Sequence, residues 1–355
     1  MLNGDRSART IRPSGQVRTG RLSLSVVIPI HRSERYIGEC LDAVLAQEHP
    51  VEQVVLVDDL GGDRSIDIAV DILTAAGVDH TVVRQDRNRG AGCARNAGVS
   101  ATTGQVIWFF DSDDLADPAF TRVMVDALTE HGADVAACRT ALVGPDGRAR
   151  GILEDAAPRG AVTGPGFVEF LVTGTVKALP GGHVFRREVL GSAPWDERRA
   201  YEDMVATARM ALRADRVAMV DAPLYRYRQR ADSVSRTVNG HTLGLFEMGE
   251  EMSEVIGSIA DGQRRRGLRL RRRFSYREVL IPAAHMAMRA RHDGADEQVI
   301  DGLLVGARER SSLRDVVPLL VDRQFRSAVF AAGIVVTPKL YSRILRRRPD
   351  RVHLG

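Results

Sequence analysis

The sequence is short of cysteine, of lysine and of long apolar runs, and each shortage narrows what the protein can be. Only Cys40, Cys93 and Cys138 occur. Their number is odd and their spacing fits neither a disulfide framework nor a metal knuckle, so a reducing cytoplasm is the expected compartment and each thiol is expected to pack as a small apolar group. The longest uncharged apolar run near the C-terminus, residues 328–337, is ten residues long, about half of the ~20 needed to cross a bilayer. Residues 1–20 are polar and basic without an apolar segment, so they are expected to be a disordered tail and not a secretory signal. Lysine occurs only at 177 and 339, which leaves nearly all positive charge on arginine. No Ser-His or Cys-His pair stands at a recognisable spacing, so no covalent nucleophile is expected.

What is present suits a soluble globular protein. The 355 residues are 44% apolar and 27% charged, enough for one large core and a second, smaller unit. Net charge is +4, but residues 241–355 hold 21 Arg and Lys against 14 Asp and Glu, whereas residues 1–240 hold 29 against 32. The basic runs lack the interleaved aromatics of a base-stacking platform, so nucleic acid is not an expected partner. The segment 340–348 is short, amphipathic and basic, which suits contact with an anionic membrane surface or an ordinary solvated helix end.

Buried strands are expected at residues 24–30, 54–57, 81–83, 106–110 and 135–137, with helices between them. Ser33 is the expected N-cap of the first helix. This alternation predicts a doubly wound, mostly parallel sheet over residues 24–138, and residues 140–166, rich in Gly, Pro and Asp, predict an irregular or hairpin excursion. Two strands run directly into acids, Val57 into Asp58-Asp59 and Phe110 into Asp111-Ser112-Asp113-Asp114. Ligands of open α/β sheets bind at such strand ends, and clustered carboxylates there suit a divalent metal or an acidic turn that caps the next helix. Gly90 and Gly92 open a helix of small residues, compatible with close approach to an anion or with tight helix packing. Glu202-Asp203 opens a further helix. Arg226, Arg228 and Arg230 alternate along a strand beside a hydroxyl-rich turn, which suits an anion or a solvated edge.

Taken together, Val26-Val27-Ile28-Pro29, Tyr36-Ile37 through Gln47, Val57-Asp58-Asp59, Asn88-Arg89-Gly90, Ala94-Arg95-Asn96-Ala97-Gly98, Phe110-Asp111-Ser112-Asp113-Asp114 and Glu202-Asp203 resemble the family 2 glycosyltransferases of bacterial cell-surface glycan synthesis. The resemblance covers residues 24–235. It implies a GT-A fold over residues 21–235; beyond its reach, residues 236–335 read from their own pattern as mainly helical and 336–355 as a basic amphipathic tail. It implies an inverting transfer from a nucleotide-diphosphate-sugar, with Mn2+ or Mg2+, to a hydroxyl of a glycan, lipid-linked glycan or polyol-phosphate acceptor at the inner face of the membrane. By position in the motifs, Pro29, Asp58, Asp59, Arg89, Gly90 and Arg95 border the nucleotide, and Asp111 and Asp113 hold the metal. Asp203 is the base, and Arg228, Arg230 and Ser233 close over the diphosphate. His31 and Arg32 depart from the usual residues at the base-binding rim, and the serine that often follows the second strand's acids is absent. Asp114, His183 and Trp195 have no assigned role, although the last two are candidates for the acceptor side. A sugar-nucleotide nucleotidyltransferase would need a glycine-rich turn where Pro29 to Ser33 stands. An inactive glycan-binding homologue is disfavoured by the complete set of acids.

Overall fold

In the computed structural model, which describes residues 21–336 except 155, 157, 231–237, 292 and 293, the expected alternation builds one ten-stranded sheet. The first half of the chain gives β1 (Leu24–Ile30), α1 (Ile37–Leu45), β2 (Gln53–Asp58), α2 (Ser65–Ala76), β3 (His80–Arg84), α3 (Ala91–Ala101) and β4 (Val106–Phe109). It continues through β5 (Leu115–Ala116), α4 (Phe120–Glu130), β6 (Val135–Val143), β7 (Ala149–Ile152), β8 (Gly160–Val162) and α5 (Gly164–Thr173) to β9 (His183–Arg186), α6 (Glu202–Arg213) and β10 (Val217–Arg228). The strand order is β3-β2-β1-β4-β9-β6-β10-β5, with β7 on β6 and β8 on β10.

Apolar residues on both faces of β1, β2 and β4 explain why helices cover the sheet on two sides. Val26, Ile28, Leu56, Trp108 and Phe110 face a core shared with α1, α2 and α4. Val27, Val55, Val57, Ile107 and Phe109 face the opposite core, shared with α3, α5 and α6. Helix α3 lies so close that a Cβ on Gly98 would stand 2.3 Å from Val27 Cγ1. β1 pairs in parallel with β2 on one side and β4 on the other. The chain direction of the winding therefore reverses between them, which opens a crevice at their carboxyl ends.

Some expectations are revised. Ser33 does not cap α1 through its side chain. The helix starts after Tyr36, while Ser33 Oγ bonds Ser112 Oγ at 2.5 Å and ties the end of β1 to the acidic turn. The arginine-bearing strand is not a solvated edge, because β10 lies between β6 and β5. The excursion after residue 140 is a hairpin, β6 with β7. β9, a four-residue strand antiparallel to both β4 and β6, is too short to stand out in the sequence.

Beyond β10 the described chain is helical: α7 (Gly244–Ile259), α8 (Arg264–Phe274), α9 (Ile281–Ala290), α10 (Glu297–Glu309), α11 (Val316–Val321) and α12 (Phe325–Val336). Leu245, Met252, Ile256, Phe274 and Phe330 from these helices belong to the same core as α5 and α6. Among the described residues no helix is long and apolar enough to cross a membrane. Ser233 and the basic segment 340–348 lie outside the described residues.

Candidate active site

The crevice at the ends of β1 and β4 holds a cleft of about 730 Å³, a size typical of small-molecule sites. Its walls come from the turn after β1 (Pro29 to Ser33), from Asp59 after β2, from Gly90 at the start of α3, and from Asp111 to Asp113 after β4. The rest of the lining is Arg199 to Asp203 at the start of α6, with Tyr227, Arg230 and residues of the 239–242 segment ahead of α7. Eight residues expected from the sequence therefore meet in one cavity: Pro29, Asp59, Gly90, Arg95, Asp111, Asp113, Asp203 and Arg230.

Three others are engaged elsewhere. Asp58 pairs with Arg84 at 3.1 Å and accepts from the Leu60 amide. Arg89 turns its guanidinium to Glu197 at 3.4 Å. Arg228 is 1% exposed. Its nitrogens donate to the Asp113 carbonyl, the Pro145 carbonyl and Glu39 at 2.6–2.8 Å. It fixes the acidic turn from behind and does not line the cleft.

Asp59 accepts the backbone N–H groups of Arg89 and Gly90, at 2.7 and 2.9 Å, and so sets the loop that opens α3. Gly90 has φ +93°, a conformation that favours glycine. At Gly92 the small residue serves packing: a Cβ there would stand 2.1 Å from the Asp196 carbonyl oxygen. In the lining of the cleft the Arg95 guanidinium bridges Asp111 at 2.7 Å and Glu202 at 3.0 Å and stacks over Trp195 at 4.8 Å. One buried cation thus joins the acidic turn after β4 to the helix that carries Asp203.

Burial raises the Asp203 carboxyl to about 7, and the neighbouring Glu202 carboxylate adds to the rise, while Arg95 opposes it. Burial likewise lifts Asp113 to about 6, against the attraction of Arg230, whose Nε lies 2.9 Å from Asp113 Oδ2. Asp114 points inward, 1% exposed. It accepts from the Tyr225 hydroxyl and from the Arg228 amide, and burial with the Asp113 and Asp111 charges pushes its pKa well up. Asp114 therefore fastens the acidic turn to β10. Replacing Tyr225 by Phe should leave that oxygen without its donor and cost about 1–3 kcal/mol; an unchanged urea midpoint would refute this.

His183 and Trp195 are core residues. His183 donates through Nδ1–H to the Leu179 carbonyl at 2.8 Å and packs against Phe167 and Phe185. Burial holds its pKa down at about 4. Trp195 meets Phe109 edge to face, and its backbone N–H and C=O are both satisfied by the Asn96 side chain.

Sequence reasoning left several cleft residues unassigned. Arg199 donates to the side-chain and backbone oxygens of Asn88 at 2.5 and 2.6 Å, and Asn88 in turn contacts the His31 ring. Tyr201, φ +61°, and Arg32, φ +52°, occupy left-handed backbone in the cleft wall, a strain that clusters at functional sites. The available signal was adjacency: Arg199 to Tyr201 directly precede Glu202-Asp203.

Residues 25–190 match the family described as glycosyl transferase family 2. The glycosyltransferase GlyG of Streptococcus pneumoniae is 27% identical over 230 residues, covering 60% of this chain and 73% of that protein. The succinoglycan biosynthesis protein ExoO of Rhizobium meliloti is 32% identical over 224 residues, covering 61% of this chain and 63% of that protein. In three dimensions, residues 1–349 of Staphylococcus aureus TarS in complex with UDP align with a TM-score of 0.61 at 20% identity, over 87% of this chain and 90% of that one. That protein is a poly(ribitol-phosphate) beta-N-acetylglucosaminyltransferase. The likeness is one of fold, and it places the sheet and its helices in the GT-A class. With the family matched across β1 to β9 and glycosyltransferases among its relatives, this chain carries a family 2 glycosyltransferase domain over residues 25–190.

Proposed function

We propose that the cleft binds a uridine-diphosphate sugar and transfers the sugar, with inversion, to a hydroxyl of a glycan, lipid-linked glycan or polyol-phosphate acceptor. The observation that carries this reading is that the Asp113–Arg230 ion pair and the Asp203 carboxyl line one cleft. The uridine base and the sugar follow the UDP-GlcNAc complex of the TarS fragment. Bases of this type would lie against the rim of His31, Arg32 and Asp59, with the diphosphate toward Arg230.

Asp203 accepts the acceptor's hydroxyl proton as the oxygen attacks the anomeric carbon. The bond to the diphosphate breaks on the opposite side, which inverts the centre. A pKa near 7 suits a carboxylate that must be ionised at neutral pH yet basic enough to take a proton. Arg230 faces the charge that gathers on the leaving diphosphate. Arg199, bound to neutral oxygens of Asn88, adds a second cation at the cleft mouth. Tyr227, Asn239, His241 and Thr242 form the wall left for the acceptor.

Among the described residues no three His, Cys, Asp or Glu side chains converge as a ready metal cage. The fit to a hard cation rests on the donor set, because Asp111 and Asp113 bring carboxylate oxygens alone to the cleft. Magnesium-type ions are held by one or two carboxylates together with substrate phosphates. Asp113, with Asp111, would hold the ion, which supplies further positive charge to the diphosphate when bound.

Calorimetric titration with UDP-GlcNAc, UDP and GDP-mannose tests the reading. Uridine ligands should bind with Mn2+ present, and affinity should fall at least about tenfold with EDTA or in Asp113→Asn. Binding indifferent to both changes would remove the metal role, and no binding of any sugar nucleotide would remove the function itself.

A further inference from the structure

The last two helices are apolar on the outside as well as the inside. Seven of the twelve large hydrophobic residues exposed among the described residues fall between 313 and 336, so the exposure is a local feature. Leu313, Val317, Leu320 and Val321 recur at helical spacing along one outer stripe, and Phe325, Val329 and Val336 form another on α12. Buried Leu319, Phe330, Ala331 and Ile334 fill the inner sides. A helix apolar all round belongs in an apolar environment. At the tip of the hairpin, Arg323 turns the chain with φ +58°, and Val321 and Phe325, 76% and 61% exposed, flank it.

The charges around this face are mainly cationic. Arg314, Arg323 and Arg326 are exposed beside it, as are Arg265 and Arg269 with Leu268 on α8. Of the adjoining acids, Asp315 is held by Arg272 and Tyr276, and Asp322, between Val321 and Arg323, lies close enough to attract Arg273. Residues 337–355, which follow α12, add six Arg and Lys against one Asp. A second copy of the chain would set these arginines against their own counterparts across a two-fold axis, and the basic tail would repel them too. We propose that the outer face of the α11–α12 hairpin docks on an anionic lipid surface, with Val321 and Phe325 entering the headgroup layer and the arginines meeting lipid phosphates.

The test is co-sedimentation of the whole chain with phosphatidylcholine vesicles, with and without phosphatidylglycerol. Binding should need the anionic lipid and weaken with salt. The double variant V321S/F325S should bind about tenfold or more weakly, while donor affinity stays as in the parent. A charge variant, R323E/R326E, should lose binding as well, which separates docking from folding. The proposal is overturned if anionic vesicles capture no protein, or if both variants bind as the parent does and binding vanishes only on deletion of residues 337–355. It is equally overturned if light scattering shows a dimer that V321S/F325S dissolves, because the face would then belong to a second copy.

Discussion

Asp203→Asn should lower kcat by about 10²–10⁴ with donor affinity unchanged, because it removes the proton acceptor and leaves the shape of the wall. Steady-state rates with saturating donor, alongside calorimetry, measure both; a variant that turns over at the parent rate would end the assignment. The parent's rate should rise with pH through about 7 as the carboxyl ionises. The same group should be a thermodynamic burden. An acid whose pKa the fold raises from 3.8 to about 7 binds its proton more tightly folded than unfolded. Its contribution to stability is thus complete below about pH 4 and is lost as pH climbs to 7. Asp203→Asn should therefore melt higher than the parent at pH 8, by on the order of 1–2 kcal/mol since water in the cleft screens part of the effect, and no differently at pH 4.

Arg95→Met should be the most destabilising single change in the cleft. It keeps an apolar stem but removes the guanidinium that stacks on Trp195 and the charge that Asp111 and Glu202 share. Stripping one member from a buried ionic group costs about 3–5 kcal/mol, and the lower end applies because Asp111 and Glu202 retain 27% and 16% side-chain exposure. Arg95→Lys should recover only part of the loss, since one ammonium cannot reproduce a planar fork to two carboxylates. Urea unfolding of the three proteins measures the order; equal midpoints would show that the bridge contributes nothing.

Much of the sheet was legible from the sequence for a simple reason. Val26 to Ile30, Val54 to Val57 and Val106 to Phe110 are apolar at every position, a signature of strands covered on both faces. The acids at their ends fell at the crevice because the winding reverses beside β1. What escaped depends on contacts between distant segments. Arg228 sits in an alternating pattern that reads as a cationic strand face, yet Glu39 and two carbonyls, up to 189 residues away, consume its donors. Asp114 is chemically like Asp113, and only the Tyr225 hydroxyl and the Arg228 amide distinguish a fastening from a cleft acid. The wall from Asn88 to Arg199 spans 111 residues, and no local pattern encodes it.

The core behind Asp203 carries a consequence for cooperativity. Val205, Ala206 and Ala208 of α6 pack in the same apolar cluster as Met252, Ile256 and Phe274 of the C-terminal helices. Arg198 and Arg209, on either side of Asp203, both pair with Glu251 of α7. The helices after β10 are thus one half of the socket that seats the α6 helix, and the α6 face of the sheet has no complete interior without them. A change of packing in those helices is transmitted to the α6 side of the cleft, while the side anchored on β1, β2 and β4 has its own support in the sheet.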